Sequence, residues 1–278
     1  MKTLRVTVCQ WPDAREAIPR AWDGLVAHVR AQASHLVVLP EMPFYPWIAS
    51  ARKFNAAQWS AAVEAHDAWE ERFPELGGAA VLGTRPVDFG NERYNEGFVW
   101  EAGTGSRAAH AKAYLPNEEG AWEVTWYHAA TPEFTPAQVG DSHIGFLIST
   151  ELWAMEQARQ YGEDGARILA TPRITSGATR EKWLAAGRTA AVLAGAFGLS
   201  SNKADASTKY GGQGWIIDPD GTVIATTSEE FPFVTAEIDL TQSENARSTY
   251  PRNVFTGTKP PTSFVRQNSP IFRTRPGT

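Results

Sequence analysis

The stretch Ser142-His143-Ile144-Gly145-Phe146-Leu147-Ile148-Ser149-Thr150-Glu151-Leu152-Trp153 decides how this sequence is read. An apolar run stops at a small polar residue and turns directly into a helical pattern that carries Met155 and Arg159. A residue at the end of a buried strand, just before a helix N-terminus, stands where outward-pointing backbone N–H groups stabilise negative charge. Ser149 occupies that place. Taken alone it also fits a simple helix N-cap, since serine is a preferred cap. Two further polar groups, Glu41 and Lys112, end apolar strands elsewhere in the chain, and their company moves the reading from capping toward chemistry.

Upstream of this stretch, Leu4 to Val8 alternates as a strand that stops at Trp11-Pro12-Asp13, with Asp13 as cap of a helix over 14–31. His35 to Leu39 is almost wholly apolar, as a central strand covered on both faces should be, and ends at Pro40-Glu41. A second helix is expected over 58–73 with His66 on its apolar face, then strands over 80–86, 94–101 and 108–114. The long connection 117–140 is of a length that is usually functional. Downstream come a helix over 152–161, a strand over 166–171, an alanine-rich helix over 180–197 and short strands near 200–202, 213–218, 223–227 and 233–240. Asp218-Pro219-Asp220-Gly221 makes a tight turn between two of them. This alternation argues for an α/β fold, one domain over 1–243 and a basic, proline-containing arm over 244–278.

Composition narrows the function. A chain of 278 residues, 42% of them hydrophobic, is able to bury a sizeable core. The net charge of −5 argues against a nucleic-acid partner, because phosphate recognition needs a concentrated basic surface. No apolar run approaches the roughly 18 residues that span a bilayer, and the first ten residues are too short and polar for a signal peptide, so no membrane partner is expected. A single cysteine, Cys9, sits within the first strand as a small hydrophobe and excludes an internal disulfide framework; the cytoplasm is the expected compartment. The six histidines, His28, His35, His110 and His128 among them, fall at no metal-ligand spacing, so no metal is expected.

Glu41, Lys112 and Ser149 thus end three separate strands, and strand carboxyl ends are where open α/β sheets bind ligands. Together they fit a division of labour between a carboxylate as general base and acid, an ammonium for an oxyanion and a nucleophile on a strand-to-helix turn. The surrounding motifs resemble the nitrilase superfamily of carbon–nitrogen hydrolases over nearly the whole chain. Leu36-Val37-Val38-Leu39-Pro40-Glu41 resembles the base-bearing strand, Lys112-Ala113-Tyr114-Leu115-Pro116 the lysine strand, and Leu147-Ile148-Ser149-Thr150-Glu151 through Arg159 the nucleophile strand and helix. Gly211-Gly212-Gln213, Ile216 to Gly221 and Thr249-Tyr250-Pro251-Arg252 resemble the late hairpin and C-terminal arm. The resemblance implies a four-layer α-β-β-α sandwich, no cofactor, and association into a homodimer or larger homo-oligomer. It also implies that Glu123 positions the lysine and substrate, a role that Glu118 and Glu119 fit less well.

In one respect the sequence departs from the pattern: the family nucleophile is cysteine, and serine stands at 149. A thiol of pKa about 8.5 yields useful thiolate at neutral pH, whereas a hydroxyl needs a stronger base. The serine is read as a Cys-to-Ser change that holds substrate in an otherwise intact site; a slow natural serine or a noncatalytic binding relative is the alternative. The expected reaction is cleavage of a small-molecule amide with an apolar or aromatic acyl group, because Phe44, Tyr45, Trp47, Trp122 and Trp153 lie near the three strand ends. Nitrile hydrolysis and N-carbamoyl amide hydrolysis are the alternatives. Arg173, at the end of the next strand, is able to form a bidentate pair with a carboxylate-bearing substrate.

Overall fold

Apolar side chains alternate through β1 (Thr3–Pro12), so that Val6 and Val8 point to one side while Cys9 and Trp11 point to the other. The structure is a computed structural model that describes residues 3–205 and 209–254. Next come α1 (Ile18–Gln32), β2 (Leu36–Val38), α2 (Ala56–Glu70), β3 (Ala80–Phe89), β4 (Glu92–Glu101) and β5 (Gly105–Ala111). They are followed by α3 (Glu123–Trp126), β6 (Ala137–Val139), β7 (Ser142–Phe146), α4 (Met155–Glu163), β8 (Ile168–Arg173) and α5 (Arg180–Ala194). The chain continues through β9 (Phe197–Ala204), β10 (Trp215–Ile217), β11 (Val223–Thr226), β12 (Phe233–Asp239) and α6 (Thr241–Ala246).

The strand order is β5-β4-β3-β2-β1-β9-β8-β7-β6, with β12 on β1, β10 on β9 and β11 on β10. β1 passes from one half to the other: Val6 to Val8 pair in parallel with β2, and Gln10 to Pro12 with β9. The two halves face each other. Val6, Val38, Leu82 and Val99 from one pack against Ile144, Phe146, Ala170 and Leu199 from the other in a single apolar layer. Gly97 permits a close approach, because a Cβ there would lie 3.0 Å from the Phe146 ring. α1 covers the outer face of the first half with Trp22, Leu25 and Val29, and α4 and α5 cover the second with Ala158, Tyr161 and Ala190. The molecule is therefore the expected α-β-β-α sandwich. Burial of each large apolar side chain stabilises it by about 1.5–3 kcal/mol.

Several local expectations change. Asp13 does not cap α1; its carboxylate accepts from Trp47 N–H and Lys203 Nζ, and Pro19 in the first turn suits the helix start instead. α5 stops at Ala194 because Gly195 takes φ 60 and its N–H turns back to the last turn. Residues 244–254 pack on their own domain. The buried Arg252 donates to Val192 O and Pro219 O, each at 2.9 Å, and to Asp220 Oδ1 at 2.9 Å. The remainder of the expected arm lies outside the described residues.

Candidate active site

Each half of the sandwich delivers polar groups to the same end. Beyond β2 the chain turns sharply, with Met42 at φ 43 and its N–H held by Thr84 Oγ1, and this turn seats Glu41 fully buried. Glu41 N–H donates to Arg173 O at 3.3 Å, which ties the turn to the end of β8. Lys112 follows β5, its backbone N–H held by Asn95 O at 2.9 Å, and Glu123 opens α3. Lys112 Nζ donates to Glu41 Oε1 at 2.8 Å and to Glu123 Oε1 at 2.9 Å, with Glu123 Oε2 at 2.7 Å. Asn95 Nδ2 donates to the same Glu41 Oε1 at 2.7 Å. Glu41 Oε2 has no hydrogen-bond partner among the described residues, so one lone-pair-bearing oxygen of a buried carboxylate is left to accept a proton.

Burial alone would drive the Lys112 ammonium toward its neutral form, but Glu123 and then Glu41 outweigh it and hold the lysine charged, above its ordinary range. Two carboxylates share this single cation. Desolvation lifts Glu123 to about 7; Lys112 opposes the rise and Glu41 adds to it. Burial, then Glu123 and Glu41, likewise push the Tyr127 phenol well up, so that it stays protonated; Asn95 Nδ2 lies 3.5 Å from its oxygen. The cluster is thus a charged ammonium clamped between the Glu41 carboxyl and a Glu123 carboxyl lifted to about 7.

Ser149 sits just beyond β7, 4% exposed, at φ 50. A side chain in the left-handed region costs of the order of 1–2 kcal/mol, and such strain collects where a side chain must be aimed. Capping does not account for it, because the cap position of the short turn 149–153 falls to Ile148. Ser149 and Glu123 open on one cleft of ≈ 480 Å³, walled by Trp47, Trp153, Trp183 and Tyr210 and rimmed by Glu118, Glu119, Lys182 and Lys209. Trp153 and Trp183 lie 5.3 Å apart, tilted by 58°. Lys112 and Glu41 do not line the cleft; they stand fully buried behind Glu123, and a hydroxyl, an ammonium and a carboxylate so grouped are the kinds of part that acyl transfer needs.

A family model described as carbon–nitrogen hydrolase matches residues 5–248. The chain belongs to the carbon–nitrogen hydrolase family. No curated protein sequence matches it. Among solved structures, a carbon–nitrogen hydrolase from Helicobacter pylori G27 superposes with a TM-score of 0.78 at 18% identity, over 91% of this chain and 95% of that one. The C. elegans NitFhit protein gives 0.79 at 19%, over 93% of this chain and 66% of the other. An amidase from Nesterenkonia sp. AN1, with the acetamide moiety of fluoroacetamide added covalently at its active site cysteine, gives 0.70 at 16%, over 87% and 92%. At these identities the likeness concerns the fold.

Within this carbon–nitrogen hydrolase the expected aromatic residues divide. Trp47 and Trp153 line the cleft. Phe44 does not; the turn at Met42 sends it into the core, stacked on Trp69 at 5.4 Å and edge-on to Trp22. Trp122 and Tyr45 also lie off the cleft wall, beneath Arg52 at 4.9 Å and Arg15 at 5.8 Å respectively. Arg173 is corrected as well: it is 1% exposed, and its guanidinium donates to Ser200 Oγ, Thr175 Oγ1 and Gln213 O over the Trp215 ring at 3.8 Å. Buried and off the cleft wall, it is out of reach of a substrate carboxylate. Cys9 is fully buried, and burial pushes its thiol up, so it is no reserve nucleophile. Sequence reasoning passed over Asn95 and Tyr127. Asn95 shares its face of β4 with Gly97 and Val99, and a polar residue on that apolar parity was the available signal. Among the described residues no cluster of three His, Cys, Asp or Glu side chains has the form of a metal site.

Proposed function

We propose that this carbon–nitrogen hydrolase is an amidase-type enzyme that splits a small amide with an apolar or aromatic acyl group into a carboxylic acid and ammonia or an amine. The observation that carries the reading is Lys112 Nζ held between Glu41 and Glu123 beside the cleft that Ser149 shares. Glu41 takes the proton from the residue-149 side chain as it attacks the amide carbon, and Lys112 Nζ stabilises the oxyanion. Glu41 then returns that proton to the leaving nitrogen. A water deprotonated by Glu41 hydrolyses the acyl-enzyme, the acid departs, and residue 149 recovers its proton. Glu123 keeps the ammonium directed at the oxyanion. The four aromatic walls support an apolar acyl group over a highly charged one.

The serine favours a second reading, a relative that binds its ligand without turnover. A Nesterenkonia relative uses an active site cysteine, and a hydroxyl at the same place is a far poorer nucleophile. In this reading Ser149 stands for a lost thiol within an intact site. Ammonia release from a panel of amides and nitriles, measured for the chain and for Ser149→Cys, separates the two. Turnover that appears with the thiol supports the hydrolase, and the better class of substrate distinguishes amidase from nitrilase. Binding by thermal shift in both proteins with no turnover in either overturns it. We further propose a homodimer or larger assembly in the cytoplasm, consistent with one buried thiol; a strict monomer by light scattering sinks the assembly.

A further inference from the structure

Lys112 and Ser149 stand on strands near opposite ends of the sheet order, so no ladder of backbone hydrogen bonds sets the distance between them. Two side chains bridge the gap: Thr150 Oγ1 donates to Tyr114 O at 2.9 Å on the exposed side, and Glu151 spans it in the buried interior. Glu151, 0% exposed, accepts from Ile148 N–H through Oε2 at 2.9 Å and from Ala113 N–H through Oε1 at 2.7 Å. Those are the backbone groups on either side of the pair: Ile148 precedes Ser149, and Ala113 follows Lys112. His110, also buried, places Nε2 at 3.0 and 2.9 Å from the two carboxylate oxygens. An ionised carboxylate only accepts, so this nitrogen carries the hydrogen, and the ring is packed against Phe134 at 4.8 Å. Resting on the hydrolase reading above, we infer that Glu151, braced by His110, is a positioning residue that fixes the nucleophile of one sheet against the lysine of the other.

The chemistry suits the task. Bonds from backbone N–H to a charged carboxylate are about twice as strong as neutral ones, and a buried carboxylate with several donors has little freedom to move. A cap alone would need only the Ile148 bond; the Ala113 bond crosses to the other sheet and contributes nothing to the turn. Glutamine at 151 keeps the shape but presents one oxygen and one NH2 group, so one of the two backbone donors is left facing a donor. The lysine and the nucleophile are then free to drift apart, and a misplacement of about 1 Å costs up to about a hundredfold in rate.

The test uses Ser149→Cys as parent and iodoacetamide as probe, with the maximal labelling rate of the position-149 thiol and the half-saturating concentration followed by mass spectrometry. Glu151→Gln in that background is expected to lower the maximal rate about tenfold or more while half-saturation stays within about twofold. Glu151→Asp, which keeps both acceptor oxygens, should recover part of the loss. His110→Phe, expected to fall in the same direction, decides the matter if Glu151→Gln does not fold. Arg252→Ala, remote from the site, controls for general loss of stability. Labelling within about twofold of the parent in Glu151→Gln, or in His110→Phe in its place, overturns the clamp, as does an equal loss in Arg252→Ala. A parent that takes no label overturns the clamp together with the site. A parent that labels normally and hydrolyses no amide overturns only the proposed reaction.

Discussion

Two carboxylates facing a single ammonium leave the buried cluster with negative charge in excess, and Glu123 relieves it by holding its proton up to about 7. Its folded pKa is raised above the ordinary 4.5, so the native state binds the proton more tightly than the unfolded chain. The stability this contributes is complete below the unfolded value and is lost as pH rises toward the folded one. Glu123→Gln, which is neutral at every pH, should therefore gain melting temperature relative to the parent as pH is raised from 4.5 to 7 and keep a constant offset above that; parallel curves across this window sink the assignment. Lys112→Met in a Ser149→Cys background should reduce turnover about 10²–10³-fold through loss of the oxyanion donor, as read from kcat for ammonia release. At this scale the sequence was legible where a polar residue ends an apolar run, as Glu41, Lys112 and Ser149 do. It was not legible where the backbone turns unexpectedly, and Phe44, redirected by the left-handed Met42, is the clearest instance.

Among the elements, α4 and α5 pack together over the outer face of β7 and β8. α4 and α5 touch backbone to backbone at Gly162, where a Cβ would fall 2.2 Å from Ala194 O. Gly162→Ala should cost about 1–3 kcal/mol or more by urea unfolding, since neither backbone has room to retreat. Gly198→Ala, whose Cβ would meet Ala191 and Ile217 at 3.6 Å, should cost less than Gly162→Ala in the same experiment. Most strand and helix identities followed from hydrophobic period, as α2 shows by burying Trp59, Ala62 and His66 on the expected face, but the short α3 and β6 inside the expected connection 117–140, and α6, did not. Nor did boundaries. Asp13 resembles a helix cap in sequence, yet a buried lysine 190 residues away takes its carboxylate, and no local pattern encodes so distant a partner.

Over the whole molecule, the last described turn is fastened by side chains of which Arg252 makes the most bonds. Arg252 links the 246–252 segment to α5 and to the turn at Asp220, and Arg252→Ala should lower stability by about 2–3 kcal/mol, since it removes charge-assisted bonds to buried carbonyls. Chemical denaturation measures this, and an unchanged midpoint refutes it. The four-layer architecture was legible only through motif order, because a single strand's pattern does not reveal that two half-sheets will face each other. Gly97 against Phe146 is a contact between strands whose separation in sequence no periodicity spans.

The passage of β1 from one half-sheet to the other bears on how the chain comes to life during synthesis. Glu41, Asn95 and Lys112 belong to the first half, Ser149 and Glu151 to the second, and β9, with which β1 pairs across the seam, ends at Ala204. A ribosome-bound polypeptide that has emerged only as far as Ser149 lacks β8 and β9, the strands through which β7 is joined to β1. Backbone pairing therefore joins the half that carries Ser149 and Glu151 to the half that carries Glu41 and Lys112 only once the chain has been made as far as β9.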